Sequence, residues 1–423
     1  MTKYADYAHR KPMQTAFALA LGAAISLGLA RFSYGLFLPI MREDLGWTYF
    51  IAGTMNTANA AGYFIGALLT SWCFRKTSVA NTFIAAALLT SLLIGLSGYV
   101  TDVAFLFILR LLSGITSALV FVGGGVLAAQ LGSLHVKRSG LLLGIYYGGT
   151  GLGIVLSSLL VPSVTELARQ NHMEHAWQPA WWALALTGLV LGLLLIKPSL
   201  SVPAAPPRKA GAQSTAVKRY VFIVLGYCCF GMGYIGYMTF VIALLKQMGV
   251  ASLAIYTFYA LLGFFVMASS RIWARLLDQY RGGQPMAILN TLLGIACFIP
   301  AGIALKIGSG ESAAGIAAQG PSQLGLVELT AIYLSGVIFG ACFLSAVAAT
   351  TAFVKHNLPQ PQWVAGITVF TSIFALGQIL GPSLVGWIAD GPGGLARGLL
   401  LSGGILLTGA FFAWLQKPLT PTA

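Results

Sequence analysis

Three arginines stand inside long apolar runs of the 423-residue chain: Arg31, Arg110 and Arg271. A guanidinium keeps its charge at any physiological pH and presents its donors in a planar fork that matches a carboxylate or phosphate at two points. If the runs cross a bilayer, each such charge costs roughly 3 kcal/mol or more at mid-depth, so it is there for a reason. Arg31 lies about 17 residues into its run, or roughly 25 Å along a helix. Two roles fit it: a grip for an anionic ligand, or a structural partner for helix-end carbonyls or for the nearby acids Glu43 and Asp44. Arg110 fits either a conformational role or local packing and hydrogen bonding. Arg271 is close enough to the end of its run to reach the interface along its own stem.

The acids are placed quite differently. All ten (Asp6, Glu43, Asp44, Asp102, Glu166, Glu174, Asp278, Glu311, Glu328 and Asp390) fall in connections, tails or the ends of runs, as do all five histidines. Proton-driven carriers need a titrating group that moving helices can feel, and no carboxylate is expected at mid-membrane depth here. His172, Glu174 and His175 form a compact set, which fits a solvated loop better than a metal site, so no metal or other cofactor is expected.

Polar and aromatic side chains within the runs complete the candidates. Asn56, Asn59 and Tyr63 fall at i, i+3 and i+7, one face of a helix that points either at a cavity or at a neighbouring helix. Tyr34 follows Arg31 by three residues. Tyr146, Tyr147, Tyr234, Tyr237 and Gln378 could line a cavity or serve as ordinary packing. The string Gly148-Gly149-Thr150-Gly151-Leu152-Gly153 looks like a phosphate loop, but no βαβ unit surrounds it and no Walker lysine follows, so close helix packing explains it better. No nucleophile–base or zinc-hydrolase signature is visible, and no enzymatic activity is expected.

The elements that must position these residues are set by hydropathy. The chain is 57% hydrophobic and 8% charged, whereas water-soluble domains carry roughly 25% charged residues. Apolar runs of about 20 residues, enough to span a bilayer, predict twelve helices near 15–39, 49–72, 80–100, 104–129, 139–163, 180–197, 219–245, 252–275, 285–306, 327–353, 364–389 and 396–416. The first run is too long for a signal-peptide core and reads as a retained helix. The net charge of +14 comes from basic residues clustered between runs, which suits lipid headgroups rather than nucleic acid. With the N-terminus inside, five of the Lys and Arg residues outside the spans face outward (Arg42, Arg169, Lys246, Lys306 and Arg397) and the other sixteen face the cytoplasm. That bias predicts both termini inside a cytoplasmic (inner) membrane. The five cysteines suggest buried small side chains, not a disulfide framework.

The Pro-containing stretch 198–218 divides the chain into 1–197 and 219–423, two sets of six helices joined by a cytoplasmic linker. The halves repeat: Gly28, Arg31, Tyr34 and Phe37 match Gly231, Tyr234, Tyr237 and Phe240, while Gly144, Gly148 and Gly153 match the spacing of Gly377, Gly381 and Gly386. Such duplication is typical of carriers with two repeated bundles.

With these residues the whole chain resembles the major facilitator superfamily. Gly66 to Lys76, with Arg75 and Lys76, is similar to that family's cytoplasmic loop motif, although Thr70 replaces its aspartate; the second-half copy, Ala274 to Gly283, keeps it as Asp278. Arg110 with Gly114 resembles an arginine-x-x-x-glycine motif of the fourth helix. Ala30-Arg31-Phe32-Ser33-Tyr34-Gly35, Asn56-Thr57-Ala58-Asn59-Ala60 and Gly233-Tyr234-Ile235 look like the poorly characterised YbfB/YjiJ-like branch. The resemblance implies an all-α membrane protein of two pseudo-symmetric six-helix bundles that works by alternating access, with Arg75, Lys76, Arg110 and Asp278 in conformational roles. The expected cargo is a small organic anion such as a carboxylate, moved by a monomer with Arg31 at its binding site. An efflux carrier for neutral lipophilic compounds and a transporter-fold sensor are the other readings.

Overall fold

A computed structural model describes residues 5–203, 217–313 and 324–419, and no strand occurs among them. Twelve long helices carry the fold. The first six are α1 (Pro12–Asp44), α2 (Tyr49–Lys76), α3 (Val79–Leu96), α4 (Val103–Leu134), α5 (Ser139–Gln170) and α6 (Gln178–Leu194). The second six are α7 (Val221–Gln247), α8 (Ser252–Ile272), α9 (Gln284–Ala313), α10 (Leu326–Asn357), α11 (Trp363–Ala389) and α12 (Gly394–Leu415).

Among the described residues, eleven helices, all but α2, are long and apolar enough to cross a membrane. At 28 residues α2 has the length; Asn56, Thr57 and Asn59 lower its apolar character. Several helices overrun the spans read from hydropathy. α4 continues to Leu134, α5 to Gln170 and α10 to Asn357, because a helix does not stop where its residues turn polar. Starts are set by local chemistry: Pro12 opens α1, Ser78 Oγ accepts from the Asn81 amide at the head of α3, and Asp102 Oδ1 accepts from the Phe105 amide at the head of α4.

The described residues form two compact units. One takes the residues up to Gly46 and those from Ala58 to the end of the first half; the other takes Trp47–Thr57 and the residues from Val217 onward. The first two turns of α2 therefore group with the second unit. Of the expected linker, 204–216 lie outside the described residues, and its start is a short buried helix, Ile196–Ser201.

Within the first unit α1 packs on α5 and α4, and α3 packs on α4 and α6. Within the second, α7 packs on α11 and α12, and α9 packs on α10 and α12. Glycine sets the closest crossings in both. A Cβ on Gly149 or Gly153 would strike the backbone of α1, and one on Gly377 or Gly381 would strike the backbone of α7. The glycine string of α5 is thus helical and serves interhelical approach, and Gly386, its expected third counterpart, meets the Tyr49 carbonyl instead.

Candidate functional site

The chemistry-bearing part of α1 is not an ordinary α-helix. Ala24–Phe32 forms a nine-residue π-helical segment, in which the Ser33 amide donates to the Gly28 carbonyl five residues back at 3.0 Å. Inserted π turns are rare and widen the helix, and they recur at functional sites. Arg31 sits in the last turn of this segment and is 3% exposed. Its Cζ lies 5.5 Å from the Tyr63 ring centroid and 5.9 Å from that of Phe32, a cation–π range.

Arg110, on α4, is 4% exposed. Its Nη1 donates to the Ala30 carbonyl at 2.6 Å, and its Cζ stands 4.8 Å from the Tyr34 ring centroid. The ring of Tyr34, three residues after Arg31, thus lies against the Arg110 guanidinium. Because Arg110 bonds the residue directly before Arg31, the first unit holds two buried guanidinium groups in one neighbourhood.

The remaining first-unit candidates gather close by. Asn59 Nδ2 donates to the Arg110 carbonyl at 3.2 Å, binding α2 to α4. Tyr146 is fully buried and donates its hydroxyl to the Phe121 carbonyl at 2.6 Å. Its ring meets that of Tyr147, which is 40% exposed. Tyr63, which the sequence puts on the Asn56–Asn59 face, has its ring against the Arg31 guanidinium.

In the second unit the candidates form a different, neutral arrangement. The Tyr234 hydroxyl donates to Gln378 Oε1 at 2.9 Å. Ser335 Oγ donates to the Ile332 carbonyl, so the Tyr237 hydroxyl, 2.9 Å away, donates to Ser335. Tyr237 stacks on Phe339 at 4.0 Å, and Tyr234 stacks between Phe230 and Phe343. Asn56 Nδ2 donates to Thr239 Oγ1 at 2.7 Å. The two α2 asparagines thus serve different units. Thr239 and Ser335 carry no sequence signal, since hydroxyls in apolar helices most often bond their own preceding turn.

The acids act at helix ends. Asp44 Oδ2 accepts from Trp177 Nε1 at 2.6 Å and pairs with His175 Nδ1 at 2.7 Å. Asp390, just past α11, caps α2 by accepting from the amides of Tyr49 at 2.7 Å and Phe50 at 2.8 Å. Arg75, Lys76, Asp278 and Arg271 are exposed. Among the described residues, no group of three or more His, Cys, Asp or Glu side chains could hold a metal ion.

The family described as "Uncharacterised MFS-type transporter YbfB" matches residues 23–413. A putative tartrate transporter of Agrobacterium vitis is 23% identical over 420 residues, covering 93% of this chain and 88% of that protein. Monocarboxylate transporter 11 of Homo sapiens is 28% identical over 419 residues, covering 92% of this chain and 79% of its own length. Among solved structures, a bacterial homologue of the human lysosomal transporter Spinster, inward-facing and occupied, superposes with a TM-score of 0.72 at 14% identity, with 98% and 97% of the two chains covered. The nucleoside transporter NupG gives 0.68 at 13% identity, with 95% and 98% covered. Identities this low establish a shared fold and nothing finer. The match across nearly the whole chain makes this protein a multi-pass membrane transporter of the YbfB family within the major facilitator superfamily.

Proposed function

We propose that the protein is a secondary transporter of small organic anions, carboxylates foremost, and that Arg31 is the group that receives the anionic end. The observation that carries this is the burial of two arginines in one unit, Arg31 and Arg110, the second bonded to the carbonyl of Ala30 directly before the first. Like charges buried together raise each other's cost, and an arriving anion relieves it. The Tyr63 ring, 5.5 Å from the Arg31 guanidinium, supports this reading with a ring contact at the same place. The relatives named as tartrate and monocarboxylate transporters support the same class of cargo. Two buried positive charges disfavour neutral lipophilic cargo, which gains nothing from them.

The surrounding assignments are part of the same proposal. The chain works as a monomer in a cytoplasmic membrane; both termini lie inside, the orientation that the Lys and Arg distribution favours. Its halves, 1–197 and 219–423, act as the two bundles of an alternating-access carrier, joined through 198–218.

Thermal stabilisation of purified protein tests the cargo class. Tartrate and lactate at millimolar concentration should raise the melting temperature, whereas uridine and a neutral lipophilic dye should not. A shift with uridine or the dye alone would overturn the anion assignment. Ligands that bind only the folded state stabilise it in proportion to the logarithm of their concentration over Kd, so the shift should grow with dose.

A further inference from the structure

We propose that Arg110 is a positioning residue for Arg31: its guanidinium holds the π-helical turn of α1 in the shape that presents Arg31 to substrate. This rests on Arg31 receiving the anion, as proposed above. A π-helical stretch shifts the backbone bonding register, and where it returns to α-helix some carbonyls lose their usual amide partners. The two carbonyls just before Arg31 are both met by side chains. Ser33 Oγ donates to the Leu29 carbonyl at 2.5 Å, and Arg110 Nη1 donates to the Ala30 carbonyl at 2.6 Å. The second bond reaches across from another helix and ends on the residue directly preceding Arg31.

Arg110 is itself held on two more sides. The Tyr34 ring lies 4.8 Å from its Cζ, and the Arg110 backbone carbonyl accepts from Asn59 Nδ2 at 3.2 Å. The closeness of α4 at this level comes from Gly114, where a Cβ would strike the Asn59 carbonyl on α2. A charged donor on a long side chain, held at its end by the Ala30 carbonyl and the Tyr34 ring, thus braces the wide turn. A charge-assisted bond to a carbonyl is stronger than a neutral one, which suits a turn that has given up part of its own ladder.

The test measures binding of labelled tartrate and labelled lactate to purified Arg31→Ala, Arg110→Met, Arg110→Lys and Arg31→Ala/Arg110→Met proteins, with amide hydrogen exchange of the peptide covering residues 24–36. Arg110→Met should weaken binding about tenfold, the scale of one charge-assisted hydrogen bond, and should speed exchange in that peptide. Arg110→Lys keeps a charge and a donor, so it should restore slow exchange and bind within about threefold of wild type. The double variant should bind no more weakly than Arg31→Ala, because Arg110 acts through Arg31. A double variant weaker than Arg31→Ala, or a folded Arg110→Lys protein that loses binding as fully as Arg31→Ala, would make Arg110 a direct substrate ligand and overturn the proposal. Unchanged binding in folded Arg110→Met, with Arg31→Ala inactive, would overturn the positioning role while leaving Arg31 as the anion group. Full binding by Arg31→Ala would overturn both readings together.

Discussion

Placing a methyl group on Gly28 tests whether the close contact between α1 and α5 sets the position of Arg31. The Cβ of Gly28→Ala would meet the Gly153 carbonyl carbon at 2.7 Å and the Thr150 carbonyl oxygen at 2.9 Å, where ordinary contact begins near 3.4 Å. Both obstacles are backbone atoms, so no rotamer change can clear them, and the two helices must part by the better part of an ångström. Overpacking of this kind costs about 1–3 kcal/mol. Alanine's greater intrinsic preference for a helix returns about 0.5–1 kcal/mol of that. The expected net loss is therefore about 0–2.5 kcal/mol, centred at about 1 kcal/mol, read as a drop of a few degrees in the melting temperature of the purified protein. Gly404→Ala is the control, because nothing lies within 4 Å of its added Cβ, and it should melt at or slightly above wild type. Arg31 is three residues from Gly28 in the same π segment, so binding of tartrate or lactate should fall in Gly28→Ala beyond what the stability loss explains. A Gly28→Ala protein that melts and binds like wild type would show that the α1–α5 contact is slack and that Arg31 is placed by something else.

Other consequences are open to direct test. A single cysteine at Lys137 should react with an impermeant thiol reagent only from the cytoplasmic side and one at His172 only from outside, given the Lys and Arg asymmetry; labelling of both from one side would defeat the topology. Asp390→Ala removes the carboxylate that accepts from the Tyr49 and Phe50 amides, and loss of such a cap costs about 0.5–2 kcal/mol, so its melting temperature should fall while Asp390→Asn falls less; equal, unchanged melting in both would refute the capping role. Asp44→Asn, Asp102→Asn and Asp278→Asn should each retain proton-gradient-driven uptake in liposomes, since these acids lie at helix ends or in a connection. Loss of accumulation with exchange intact in any one of them would identify a coupling carboxylate.

The helices were legible because their cause is a property of composition: runs of apolar residues long enough to span a bilayer appear directly in the chain. Their ends were less so. α4, α5 and α10 continue past the apolar runs because backbone hydrogen bonding, unlike hydropathy, extends into polar residues. The sequence also placed Asp44 and Asp390 outside the apolar runs, but not the bonds they make, since the contacts of Asp44 with His175 and Trp177 and the Asp390 cap on α2 join residues far apart in the chain. The π segment left no trace in Ala24–Phe32, whose composition suits an α-helix equally well; the choice between them depends on packing against Gly153 and on the Arg110 bond to Ala30. Nor does counting residues show that the Tyr34 ring lies against Arg110, which comes from a helix far along the chain. Asn56 and Asn59 share a face by spacing, yet the first serves Thr239 and the second the Arg110 carbonyl, because α2 passes from one unit to the other between them.

Counterflow is the most direct measure of whether this is an anion carrier built on Arg31. Liposomes holding purified protein and loaded with unlabelled tartrate or lactate should take up the labelled compound transiently, other small carboxylates should compete, and Arg31→Ala should abolish the uptake while remaining folded. Carboxylate counterflow that persists unchanged in Arg31→Ala, or wild-type protein that exchanges uridine and no carboxylate, would contradict it.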